Sequence, residues 1–455
     1  MHGIALTFSR MIRPTVLSLA LTCVAVGPTC VAQELPKLNT FNLTPYRKGD
    51  QWGFSDSNKK LVVPIRYDNV ERFSEGLALV SLNGKYGFID ESGKEIIPLK
   101  YDSAGPFSEG LAEVLMADEL GNLESGKAGY IDRSGKVVIP LKYDAVGFFP
   151  RSLYGQPFSR GLARVLLNGK YGYIDRNGKE VTPFKYDYVE RFSEGLAVAR
   201  LGNKWGFIDQ SGEELTPFKY DKLESFSGGL AVAQLGGWGG YIDRSGKEVT
   251  LFKYEIANSL SDGLARVSLK GKYGFIDQSG KEVVPVKYDL AGIFSEGLAD
   301  VNLKDSWILI DHSGKQLVAL NYGITPFSDG LAVVSVHNKY GYIDKSGKLV
   351  IPLKYESAFS FSDGLAVALL NGKRGIIDKT GKAVTAFKYS FVGEFSDGLA
   401  MVELDGKHGY VDRNGKEVTP LKYEVADRFS GGLAMVKLNG QEGYVGRDGT
   451  EYFEP

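Results

Sequence analysis

One sequence of residues returns along this chain at a fixed interval, and that interval constrains the fold more than anything else. The pattern is aromatic-Gly-aromatic-Ile-Asp, and its aspartates are Asp90, Asp132, Asp175, Asp209, Asp243, Asp277, Asp311, Asp344, Asp378 and Asp412. Asp56, in Trp52-Gly53-Phe54-Ser55-Asp56, opens the series, and Gly446 closes it in degenerate form. Successive spacings are 34, 42, 43, 34, 34, 34, 34, 33, 34, 34 and 34, a 34-residue period with insertions of eight and nine residues. Two more landmarks keep the same register. One is Phe-Ser-acid-Gly-Leu-Ala, as in Phe73 to Ala78 and Phe395 to Ala400; the other is Lys-Tyr-acid, as in Lys100-Tyr101-Asp102. For a chain of 455 residues, length alone implies about three domains; a repeat array overrides that expectation.

One unit reads as β-structure throughout. From Leu77 to Leu82 the side chains suit a short strand covered on both faces. Asn83-Gly84 then supplies a two-residue hairpin turn, since both residues tolerate positive φ. Lys85 to Asp90 is a second strand, in which Gly87 leaves room for a ring or a backbone to approach closely. In Asp90-Glu91-Ser92-Gly93 the aspartate can accept from N–H groups further along, and Gly93 can turn left-handed. Glu95 to Pro98 is a third strand, and Tyr101 to Gly110 returns as an irregular loop. No segment has helical periodicity.

The expected fold is therefore all-β, a tandem array of three-stranded meanders. A 34-residue unit cannot bury its aromatic face alone, so neighbours must stack. Tyr101, Tyr186, Tyr220, Tyr288, Tyr355 and Tyr423 are then expected to form one ladder, and Phe73, Phe107, Phe192, Phe294 and Phe395 another. An open, curved β-solenoid or superhelical array is the leading shape, because propeller blades usually have four strands and ~40–45 residues. A propeller-like ring or double ring is the alternative. The degenerate last unit, ending at Pro455, reads as a cap.

A glycine after an aromatic in nearly every hairpin, followed by aromatic-Ile-Asp and Gly-Lys, resembles the bacterial WG (or KWG) repeat family. Lys204-Trp205-Gly206-Phe207-Ile208-Asp209 and Lys272-Tyr273-Gly274-Phe275-Ile276-Asp277 carry the resemblance best. It covers roughly residues 48 to 455. Trp307-Ile308 departs from it by losing the glycine. The resemblance implies an architecture and names no activity.

The first 32 residues differ from the rest. Arg10 and Arg13 precede an apolar run from Thr15 to Gly27, and Cys30-Val31-Ala32 offers small residues before Gln33. This reads as a signal peptide cleaved after Ala32, with residues 33–47 as a linker and 48–455 as an array of about twelve units. The apolar run is short for a membrane span of ~20 residues. Both cysteines of the chain lie in this leader. The expected product is periplasmic or extracellular, without disulfides, thiolate chemistry or a stable membrane span. A formal net charge of −1 argues against nucleic acid as a partner.

Nothing recurrent points to catalysis or to a cofactor. His312, His337 and His408 have no second histidine or cysteine at ligand spacing. The Asp-x-Ser-Gly turn offers too few carboxylates for a calcium loop. The serines of Phe-Ser-acid-Gly have no histidine recurring with them, and the glycines open no helix that would hold phosphate. No catalytic, cofactor or metal residue is assigned. The symmetry breaks at two insertions, Met116 to Lys127 and Phe148 to Gln156, in neighbouring units that can meet on one surface. Phe148, Phe149, Arg151 and Tyr154 form a candidate binding surface there. The expected function is a non-enzymatic binding or scaffold surface for a protein or cell-envelope polymer. A carbohydrate-active hydrolase and a purely structural spacer are the alternatives.

Overall fold

In a computed structural model of the chain, residues 43–144 and 158–454 are described. They contain strands, turns and isolated bridges, and no helix. The unit expected from the sequence is present in full. In the second repeat, β4 (Asn69–Val70), β5 (Ala78–Leu82), β6 (Lys85–Ile89) and β7 (Glu95–Tyr101) form one antiparallel sheet in that order. The meander is β5 to β7; β4 is a two-residue strand from the return loop. The first repeat runs β1 (Thr44–Lys48), β2 (Gln51–Ser55) and β3 (Leu61–Tyr67). Thr44–Lys48 falls largely within the segment read as a linker, yet it belongs to the first sheet.

Gly87 shows why the second strand needs a glycine. The third strand bulges between Ile97 and Tyr101 and crosses over it. A Cβ at Gly87 would stand 2.5 Å from the Ile97 carbonyl oxygen, a backbone atom that cannot swing aside. Where the third strand reads Val-Thr-Pro-Phe, the phenylalanine ring lies there instead, as Phe184 does on Gly172. In those units the strand breaks up, and a threonine hydroxyl accepts the N–H that the strand leaves: Tyr173 N–H to Thr182 Oγ1 is 2.8 Å. Trp307-Ile308, the departure from the pattern, follows the same rule. Here the third strand pairs regularly through Ile308↔Ala319, with no bulge at that point, so a side chain fits.

The hydrophobic core is distributed rather than central. Eleven buried clusters are present, and each spans two consecutive units. Phe88 meets Phe107 of the next unit at 4.8 Å between centroids, and Tyr410 meets Phe429 at 4.7 Å. The Lys-Tyr tyrosines pack on a different ring again, as Tyr186 does on Phe218 at 5.6 Å. The expected ladders of like on like are thus alternating pairs. Edge and tilted contacts of this kind suit aromatic quadrupoles.

Among the described residues no sheet closes into a barrel, and the array is a serial run of sheets, as expected, with units 3 and 4 joined in one through Asp144↔Leu166. Its two ends nevertheless meet. The C-terminal strand, Phe453–Glu454, pairs in parallel with β1 through Arg47↔Phe453 and Lys48↔Glu454. It takes the edge of the first sheet that β4 holds in the second. Around it, the Arg47 N–H donates to the Tyr452 carbonyl (3.2 Å) and its guanidinium to that of Glu442 (3.0 Å). Trp52 packs edge-on against Tyr444 (5.9 Å), and the Arg72 guanidinium donates to the Ser430 and Leu433 carbonyls. The last unit is therefore not a free cap.

Candidate functional site

The three landmarks must be accounted for before any site is sought. The Asp90 carboxylate accepts from the Ser92 N–H (2.9 Å), the Ser92 hydroxyl (2.6 Å) and the Lys94 N–H (3.0 Å). The same arrangement returns at Asp132, where the Ser134 hydroxyl and backbone N–H groups hold the carboxyl below its ordinary range. These are turns in which one carboxylate oxygen, Oδ1, takes all three hydrogen bonds.

Phe-Ser-acid-Gly joins one unit to the next. The Ser74 hydroxyl donates to the Phe107 carbonyl (2.8 Å), and Glu75 accepts from the Gly110 N–H (2.9 Å). Ser396 and Asp397 repeat both contacts at Phe429 and Gly432 (2.6 and 2.8 Å). The acid of Lys-Tyr-acid also links units. Asp144 accepts from the Gly169 N–H (3.0 Å) and pairs with Lys127 (2.7 Å). Each landmark thus has a structural role.

The histidines fit the same scheme. His312 stands 3.3 Å from Asp262, where other units place Lys345 on Glu296 (3.0 Å) or Arg413 on Asp363 (3.4 Å). His408 occupies the aromatic slot, with Nδ1 3.4 Å from the Tyr423 carbonyl, and His337 turns left-handed in a hairpin. Among the described residues no three His, Cys, Asp or Glu side chains are grouped to hold a metal ion.

Phe148, Phe149, Arg151 and Tyr154 lie outside the described residues. Their surroundings are described. Lys127 ends the first insertion and Asp144 stands just before the second, and these two residues are cross-strand partners as well as an ion pair. The anchors of the two insertions therefore adjoin. The first insertion is held by Asp118, which accepts from the Leu120 and Asn122 N–H groups (2.9 and 2.8 Å).

What remains is a place where variable positions, Arg164, Tyr188 and Arg200, gather around two of the repeat's own rings, Tyr171 and Trp205. Three partly exposed rings run across a junction: Tyr171 meets Tyr188 at 6.1 Å, and Tyr188 meets Trp205 at 6.0 Å, both edge-on. Arg164 lies over Tyr171 (5.6 Å) and Tyr188 (6.0 Å), and Arg200 over Trp205 (5.6 Å). The third residue of Leu-Ala-x-Val is apolar in most units, and Arg164 occupies it here. One Arg164 N–H donates to the Val189 carbonyl (2.9 Å), which steadies the guanidinium, while Arg200 Nε is buried without a partner.

Two other places carry similar chemistry. Arg266 repeats the Arg164 position over Tyr273, but Asn258 takes its Nε (3.1 Å) and Asp300 follows in the next unit. Arg374 lies between Phe359 and Phe391, which are 51% and 37% exposed. There Glu356 caps the preceding hairpin and Glu403 is the cross-strand partner of Phe391.

Sequence reading missed the ring strip, although a windowed charge count would have flagged it. Between Lys127 and Lys204 the chain carries fourteen Lys and Arg against seven Asp and Glu, in a protein whose total is −1. Two buried acids also escaped notice. Burial pushes the Glu113 carboxyl up to about 7, and burial raises Asp300 as well. They belong to units five apart along the chain.

The fold and this surface define a class: a tandem β-repeat protein whose recurrent residues are spent on turns and junctions. Eleven stretches match the family described as WG containing repeat, namely 52–86, 86–118, 129–171, 171–205, 205–237, 240–273, 273–307, 309–340, 340–373, 375–407 and 409–441. The chain belongs to that family. No curated protein matches the sequence significantly. Among solved structures, one described as a eukaryotic initiation factor is similar at 10% identity and a TM-score of 0.33, covering 75% of this chain and 94% of that one. BamB from Moraxella catarrhalis gives 12% identity and 0.29, covering 58% and 95%. The tricorn protease gives 12% and 0.28, covering 88% and 54%. Likenesses this low carry no argument about function.

Proposed function

We propose that this chain is a secreted or periplasmic, non-catalytic repeat protein that offers a binding surface to a protein or a cell-envelope polymer. The leader of residues 1–32 supports the location. One observation carries the rest: the recurring serines and acids hydrogen-bond to backbone within a turn or across a junction, which leaves departures from the repeat free for recognition. Tyr188, Arg164 and Arg200 are such departures, grouped with the repeat's own rings Tyr171 and Trp205.

A hydrolase acting on glycosidic bonds needs two carboxyl groups about 5–9.5 Å apart. The acids with raised pKa, Glu113 and Asp300, sit in units 3 and 8, which favours binding over catalysis. The test is affinity capture on immobilised full-length mature protein from a cell-envelope extract. A partner retained through washing supports the reading. A clean hydrolase activity with nothing retained overturns it.

A further inference from the structure

The strip over units 4 and 5 has a more specific chemistry than a general surface. Its three rings meet edge to face, at interplanar angles of 73° for both contacts. Each ring also carries a guanidinium: Tyr171 and Tyr188 share Arg164, and Trp205 holds Arg200. A sugar-binding platform needs an open ring face. Here guanidiniums lie over the rings at 5.6–6.0 Å from their centroids, and a fork held in place loses less freedom when it binds a carboxylate in bidentate fashion.

The charges agree. Neither Arg164 nor Arg200 forms an ion pair among the described residues. Asp187, close enough to feel Arg200, is already held by Lys170 and the Gly202 N–H (2.6 Å). Lys204 is answered by Asp221 (2.5 Å), so the local lysines are paired while the two arginines are not. The stretch of sequence from Lys127 to Lys204 that holds them carries a surplus of seven positive charges. It leaves the rest of the chain at −8, which steers an anionic partner to this sector.

Resting on the reading of the array as a binding surface, we infer that Arg164 and Arg200, held on Tyr171, Tyr188 and Trp205, form a receptor for an acidic polypeptide segment, its carboxylates taken by the two guanidiniums.

The test uses the full mature chain and labelled poly-L-glutamate, followed by fluorescence anisotropy. The wild type binds, and binding weakens as salt rises. The Arg164→Ala/Arg200→Ala double variant loses on the order of tenfold or more in affinity, given what a charge-assisted hydrogen bond contributes. Arg164→Lys/Arg200→Lys, which keeps charge but loses the planar fork, falls in between and guards against misfolding in the alanine variant. Lys348→Ala/Lys382→Ala, an equal change of charge at exposed turn lysines in units 9 and 10, leaves affinity unchanged. An equal loss in that control reduces the effect to bulk charge and overturns the inference. So does tighter binding of polygalacturonate, which makes the partner a polysaccharide. A chain that ignores poly-L-glutamate but retains an envelope partner overturns this inference and leaves the proposed function standing.

Discussion

Phe453 is the residue on which the meeting of the two ends depends most. It is 5% exposed, packs over Gly443 and forms one of the two residue pairs that join Phe453–Glu454 to β1. Phe453→Ala removes that ring and leaves a void, for which about 3 kcal/mol is an ordinary cost. In an array stabilised by neighbour contacts, such a loss stays near where it is made. Phe453 shares the buried cluster of the last two units, and across the strand its partner is β1, some four hundred residues earlier in the chain. At 1.4 kcal/mol per decade, 3 kcal/mol raises local opening ~100-fold. Native-state hydrogen exchange with mass spectrometry reads this directly. The Arg47 amide, which donates to the Tyr452 carbonyl, and its neighbours in Thr44–Lys48 exchange ~100-fold faster in the variant. Amides of Leu196–Leu201, in unit 5, keep their protection. Unchanged exchange in Thr44–Lys48 would falsify the joining of the ends. Uniform acceleration along the whole chain would refute the neighbour-by-neighbour account.

Three further outcomes follow from the geometry. Gly87→Ala sets a Cβ against a backbone carbonyl and costs about 3 kcal/mol, whereas Gly84→Ala, at φ +72° with open space around it, costs about 1 kcal/mol; equal melting-temperature losses in the two variants would contradict this. Glu113 has a folded pKa of about 7, raised by burial from 4.5, so the folded state holds the proton more tightly and stability falls as pH rises from 4.5 through 7. Glu113→Gln removes that loss: urea unfolding shows no gain near pH 4 and a gain of about 3 kcal/mol above pH 8, and a gain that is the same at both pH values rules the explanation out. Asp397→Asn weakens the link to the Gly432 N–H and costs about 1 kcal/mol; an unmoved denaturation midpoint would show that the acid adds nothing to the junction.

Much of this protein is legible in one unit of its sequence. The Asp90-to-Gly93 turn, the left-handed Asn83-Gly84 hairpin and the close approach over Gly87 all follow from contacts between residues a few positions apart or on adjacent strands. Backbone sterics alone select those residue types. The Ser74 and Glu75 contacts are of another kind. Their partners lie 33 and 35 residues on, and a serine-acid pair in a turn serves equally well as a local cap. Only the stacked neighbour decides between the two.

The same holds for the rings and the charges. Arg164, Arg200, Tyr171, Tyr188 and Trp205 are scattered over two repeats, and only the junction assembles them. By itself, the sequence determined the unit, its strands and turns, and the number of times they recur. Tertiary structure alone decided that the last strand pairs with the first. The rotation from one unit to the next is set by side-chain packing at each junction, and small rotations accumulate over twelve units. Whether the ends diverge or meet depends on that sum, which no single repeat displays.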